Sequence, residues 1–143
     1  MVKQFLSDKT IVPAVIPTAG SVAALTPVEV DGRGWGRAAF IVATGAAATN
    51  GTLDVKVQEA ATSGGGLTDH SPANSITQLL AAMGASKVVL IDFRINPAKP
   101  FLKVTGAVGT ATFANSVICV LYNKGGTLPA TKAASFPEAI EVH

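Results

Sequence analysis

Charge is what this chain is most short of for a soluble domain. Only 14% of its 143 residues are Asp, Glu, Lys or Arg, against roughly 25% in an ordinary soluble domain. A surface so short of charge is expected to meet a partner. Aromatic residues make up 6%, so few large side chains remain to line a ligand pocket. Cysteine occurs once, as Cys119, which excludes an intramolecular disulfide and any multi-cysteine metal site. It lies inside the apolar run Val117 to Leu121 and reads as a small buried hydrophobe. The net charge is +2, with the 11 Lys and Arg residues scattered singly, so no concentrated basic surface for nucleic acid is expected. Two stretches lack charge altogether. Val104 to Asn123 is long enough to cross a bilayer, but Gly106, Thr110, Thr112, Asn115 and Ser116 interrupt it. Thr10 to Val28 is broken by Pro13, Pro17 and Pro27 and lacks the small-residue cleavage site of a secretory signal. Neither a membrane segment nor a targeting signal is expected.

What is present points to strands. Hydrophobic residues reach 48%, many of them Ala and Val, alongside 14 Gly. From Thr52 to Glu59, Leu53, Val55 and Val57 alternate with Asp54, Lys56 and Gln58, the period of a half-buried strand. Trp35 to Ala43 is a second strand-like run, and the connector between them ends in Asn50-Gly51, a hairpin cue because both residues tolerate positive φ. The small residues from Ala60 to Gly66 form a loop, and Leu67 to His70 fits a short edge strand. Asn74 to Met83 has helical character in the spacing of Ile76, Leu79, Leu80 and Met83, with Gly84 to end it; a strand is the alternative there. Lys87 to Ile95, Pro100 to Gly106 and Phe113 to Tyr122 are rich in Val, Ile and Phe and read as three more antiparallel strands. Val88, Val89, Leu90 and Ile91 are apolar in succession. Both faces of such a strand are then covered, one by the core and the other by a second chain or a terminal arm.

These elements predict an all-β chain, an antiparallel β-sandwich with jelly roll as the preferred topology. One domain spans residues 1–143, with its core at about 28–126. Residues 1–27 and 127–143 are Pro-punctuated and read as extended arms lying on a neighbour.

Candidate chemistry is sparse. His70 and His143 are the only histidines, and a metal pair between them would need a coincidence of folding. Asp69-His70 suggests acid–base work, but it follows a glycine-rich loop and precedes Ser71-Pro72, where a polar turn is the ordinary explanation. Gly32-Arg33-Gly34-Trp35-Gly36 has the look of a nucleotide loop, yet a β-like run follows it where a dinucleotide site needs a helix N-terminus. It reads as a turn into a strand, with Arg33 and Arg37 exposed beside it. Trp35 is either an edge-of-core residue or an anchor for a sugar or a partner. Asp54, Glu59 and Asp92 fall at strand or strand-end positions that suit solvated charge, and no carboxylate pair stands out. No catalytic, cofactor or metal site is predicted, and the chain is not expected to be an enzyme.

From Val28 to Gly126, about two-thirds of the chain, the order of features resembles a family of small tailed-bacteriophage proteins that decorate or cement the icosahedral head. The likeness rests on Asp31-Gly32 before the apolar strand Ala38 to Thr44, and on Gly51-Thr52-Leu53-Asp54-Val55-Lys56-Val57-Gln58-Glu59 with its glycine-rich loop. Phe93-Arg94-Ile95, Phe101-Leu102-Lys103-Val104-Thr105 and the strand Ser116 to Tyr122 complete it. The resemblance implies a jelly-roll or related sandwich on the outer surface of the virion. There it would bridge subunits of the major capsid protein, as a homodimer by preference or as a trimer. The alternative from a different class is a carbohydrate-binding or host-adhesion module of a spike or fibre, with Trp35, Arg33 and Arg37 as its contact residues.

Overall fold

The computed structural model describes residues 9–18, 21–71 and 75–124. Alternation is the local cause of most of its structure. Along Trp35–Ala47 and Thr52–Ala60, every second residue is buried over most of the length, because a strand sends successive side chains to opposite faces. In chain order the strands are β1 (Lys9–Thr18), β2 (Ala23–Ala24), β3 (Val30–Asp31), β4 (Trp35–Ala47), β5 (Thr52–Ala60), β6 (Thr68–Asp69) and β7 (Ser75–Leu80). One helical turn follows, α1 (Ala81–Gly84), then β8 (Val88–Arg94), β9 (Phe101–Gly109) and β10 (Phe113–Lys124).

The strands form two antiparallel sheets. One has the order β1-β10-β4-β8; the other runs β2-β9-β5-β6, with β3 also on β9 and β7 also on β5. The inward faces enclose a cluster that includes Val42, Phe40, Phe93, Leu53, Leu102, Phe113, Val117 and Leu121. Phe40 and Phe93 stack at 5.8 Å between ring centroids. Each such fully buried side chain contributes about 1.5–3 kcal/mol relative to exposure. The chain is thus a β-sandwich, as its pattern predicted.

Connectivity departs from that pattern. Asn50-Gly51 does not close a hairpin, since β4 and β5 lie in different sheets. Asn50 does take positive φ (66°), and Gly51 N donates to Ala48 O at 2.9 Å, but this turn carries the chain across the sandwich. The turns at 96–99 and 110–112 likewise join strands of opposite sheets. Gly106, inside β9, has φ of 153°, and a Cβ there would lie 1.9 Å from Asp54 O. Only glycine permits β9 and β5 to approach this closely.

Two further expectations are corrected. The segment read as helical is mostly strand. In β7 one extra residue enters between the pairs Leu53↔Leu79 and Val55↔Ile76, with Gln78 at φ 50°. This bulge turns Ile76 and Leu79, three residues apart, toward the same core, which imitates helical spacing. The stretch 1–27 is also no mere arm. Its residues 9–18 form β1, paired along β10 from Lys9↔Tyr122 to Thr18↔Asn115, and Ala14 and Val15 are fully buried. The core therefore begins well before residue 28. The C-terminal arm 127–143, with His143, lies outside the described residues.

Candidate functional site

The outward face of the four-stranded sheet is the most unusual surface of the molecule. Register places its side chains in rows across all four strands. Pro13, Ile118, Ile41 and Leu90 form one row; Ile11, Val120, Ala39 and Asp92 form the next; Ser116, Ala43 and Val88 extend the face on the other side. In these three rows Asp92 is the one ionisable group. An antiparallel sheet with a wet face would carry polar residues at such positions. Instead Ile11, Val88, Leu90 and Ile118 stand 53%, 64%, 38% and 41% exposed. At about 4.8 Å between strands and 7 Å between rows, the three rows cover roughly 400 Å², the scale of the largest apolar patch on a small protein, which is often functional.

A polar corner borders it. Arg37 donates through Nε to Tyr122 Oη (2.8 Å) and Asp92 Oδ1 (3.2 Å), and Tyr122 Oη donates to Asp92 Oδ1 (2.6 Å). Arg37 and Asp92 also form an ion pair at 3.0 Å. Burial, and then the hydrogen bond to Asp92, push the Tyr122 phenol up to about 12. The network pairs Arg37 with Asp92, so Arg37 is half-buried and engaged, not exposed as the sequence suggested; Lys9 and Arg94 complete the row of Arg37 and Tyr122 at the ends of the sheet.

The other residues singled out from sequence are dispersed. Trp35 is partly buried and packs on the core, with Lys124 Nζ 6.0 Å from its ring centroid, which fits the edge-of-core reading. The turn at Arg33-Gly34 is as expected, with Gly34 at φ 79° and Trp35 N donating to Gly32 O at 3.1 Å. Exposed Arg33 grips the Asp31 carboxylate through both Nε and Nη2. Cys119 is buried, and burial pushes its thiol up to about 12. Asp54 accepts from Gln78 N at 2.7 Å. Among the described residues no group of three or more His, Cys, Asp and Glu gathers as a metal ion would require. No described helix is long and apolar enough to cross a membrane.

Asp69 and His70 separate. Asp69 pairs with Lys56 at 2.9 Å and accepts from Gln58 at 2.7 Å, and these contacts hold its carboxyl below the usual range. His70 turns inward instead. Its ring lies 4.3 Å from that of Phe93, and its Nε2 lies 3.3 Å from Arg94 O and 3.8 Å from Glu59 Oε2. Glu59 is buried at the end of β5, with Lys99 Nζ 3.5 Å from Oε1. This corrects the expectation of a solvated Glu59: the strict alternation of β5 ends there, with Glu59 and Ala60 both buried. The cluster of Glu59, His70 and Lys99 joins β5, β6 and the turn before β9 at one end of the sandwich. Sequence offered no signal for it, because its members are far apart in the chain.

No family model matches the chain, and no curated protein matches it in sequence. Among solved structures the chain is similar to the SPBc2 prophage-derived protein YomS, at 14% identity, with a TM-score of 0.52. The match covers 81% of this chain and 94% of that one. At this identity the likeness concerns the fold.

Proposed function

We propose that the chain is a structural protein of a tailed-phage virion, a cement or decoration subunit that lies on the outside of the head and bridges subunits of the major capsid protein. The observation that carries this reading is the block of three rows on the outer face of the four-stranded sheet in which Asp92 is the one ionisable group. Interface cores are depleted of charge in the same way. The strand orders β1-β10-β4-β8 and β2-β9-β5-β6 support the jelly-roll reading of the sandwich, an architecture used in virus shells. The prophage source of a protein with similar fold supports the phage setting.

A patch of roughly 400 Å² is about half of what one partner contributes to a standard stable interface. One subunit therefore holds the shell weakly, and holding power comes from repetition over a symmetric lattice. On this reading the chain stabilises capsid subunits by binding their assembled form and performs no catalysis. The glycan-binding alternative needs Trp35 as an open stacking surface, and its packing on the core gives that alternative no support. The test is a cryo-EM map of a head that carries the chain. The expected result is density on the outer surface between capsid subunits, with the β1-β10-β4-β8 sheet toward the shell. Density in a tail fibre or spike would overturn the proposal.

A further inference from the structure

The sandwich has free sheet edges, and they are not alike. Exposed edges offer unpaired main-chain groups to any passing strand, so soluble proteins blunt them with prolines, bulges or very short strands. β1 carries Pro13 and Pro17 and two register irregularities. β2, β3 and β6 are two residues each, and β7 is bulged. β8 has none of these devices. It runs seven residues without proline or glycine, in unbroken register with β4 from Arg37↔Arg94 to Ala43↔Val88, and its other side has no strand among the described residues.

Hydrogen-bond direction says which of its groups are on offer. Thr44 N donates to Lys87 O, and Ile95 N donates to Gly36 O. The odd-numbered residues of this stretch thus address β4, and Val88, Leu90, Asp92 and Arg94 turn their N–H and C=O outward. His70 Nε2 lies 3.3 Å from Arg94 O and closes that end. The residues that keep both groups on offer are Val88, Leu90 and Asp92, a set symmetric about Leu90.

We propose that two copies of this chain pair edge to edge through β8, antiparallel about a two-fold axis at Leu90, giving one continuous eight-stranded sheet. A second copy is the occupant this edge specifies, because antiparallel self-pairing centred on Leu90 satisfies both main-chain groups of Val88, Leu90 and Asp92 in each copy, with about six hydrogen bonds. In that register Leu90 faces Leu90 of the second copy and Val88 faces its Asp92. A shift toward Arg94 would set Asp92 against Asp92, which like charge opposes. The Pro13–Ile118–Ile41–Leu90 row then runs unbroken across the axis, and the two outer faces merge into about 800 Å² of apolar surface. The proposal goes beyond the cement reading and stands without it, since it concerns the chain in free solution.

The experiment is sedimentation of the full chain together with site-directed cross-linking. At roughly 100 µM, well above the dissociation constant of a working interface, the expected mass is twice 14.4 kDa. Leu90→Cys should oxidise to a disulfide-linked dimer, because paired residues of this kind sit about 5.5 Å apart, within disulfide reach. Val88→Cys should not, since it faces Asp92. Leu90→Pro removes only an outward N–H, which edge strands tolerate, and should return the mass to 14.4 kDa with the circular dichroism unchanged. Should that variant not fold, Leu90→Lys leaves the backbone alone and sets two ammonium groups opposite on the axis, with the same expected loss. A monomeric parent chain, a dimer that survives these substitutions, or equal cross-linking at 88 and 90 would overturn the proposal. Capsid binding without dimerisation would overturn it alone and leave the cement reading standing.

Discussion

Ile41 and Ile118 sit directly opposite each other on β4 and β10, on the solvent side of the sheet, and Ile118 keeps 41% of its surface exposed. Neither contributes to the buried cluster between the sheets. An apolar cross-strand pair on the wet face stabilises the ladder by less than about 1 kcal/mol. Its larger consequence is a surface with little competing charge, carried by four strands.

On the cement reading, charge placed on that face should weaken binding without harming the fold. The double variant Ile11→Lys, Ile118→Lys is expected to change unfolding free energy by no more than about 0.5 kcal/mol per site. It should weaken attachment to phage heads by about tenfold or more, the effect of desolvating new charge at an interface core. Denaturant titration and a head-pelleting assay measure the two quantities separately.

Gly106→Ala should be strongly destabilising. The added Cβ would meet Asp54 O at 1.9 Å, at a φ that side chains rarely adopt. Backbone strain alone costs of order 1–3 kcal/mol, and separating β9 from β5 adds to it. Gly64→Ala is the control: its φ is also positive, but nothing lies within 4 Å of the new atom. Thermal melts of both variants should differ clearly, with Gly106→Ala much the lower.

Removing residues 1–18 should unfold the protein. The deletion takes away all of β1, opens the long edge of β10, and empties the sites of Ala14 and Val15. Circular dichroism of the truncated chain should lose its β signal. A folded truncation would mean that β10 tolerates exposure and that β1 acts as an appended arm.

Stability should fall in alkali. Burial raises Tyr122 and Cys119 to about 12, from 10.0 and 9.0. For a group whose folded value is raised, stability is fully present below the unfolded value and is lost as pH climbs through the folded one. The loss is thus expected between about pH 9 and 12, and Tyr122→Phe should remove its share above pH 10. Partial exposure screens that share to about 1–2 kcal/mol. At the acid end, the Ser63 hydroxyl lowers Glu29 and the Arg33 guanidinium lowers Asp31. Their contribution is present above the usual carboxylate range and disappears as pH falls through their depressed values. Urea midpoints across pH report both limbs.

How much of this was legible in the residues depends on the range of the interaction. Local alternation in Thr52 to Glu59 identified β5 because the period of two is a property of consecutive side chains. The run Val88 to Ile91 announced a strand, but the cover expected on its second face is not supplied by the described residues, since Val88 and Leu90 stand exposed. Sheet membership was not local. Asn50-Gly51 makes the turn its residues favour, yet nothing in those residues says whether the next strand returns beside β4 or crosses to β9. The proline-rich stretch around Pro13 concealed β1, since proline argues against interior strands and β1 lies at an edge. Glu59 meets His70 and Lys99 only after three segments converge, so its burial could not be read from β5 alone.

The proposed cement role requires the chain to be a repeated part of the head shell. Its most direct measurement is the copy number of this chain per purified particle, taken as a ratio to the major capsid protein by quantitative mass spectrometry. The cement reading predicts a fixed ratio set by the lattice, unchanged when tails and fibres are stripped from the heads. A few copies per particle, or loss of the chain along with the tails, would contradict it.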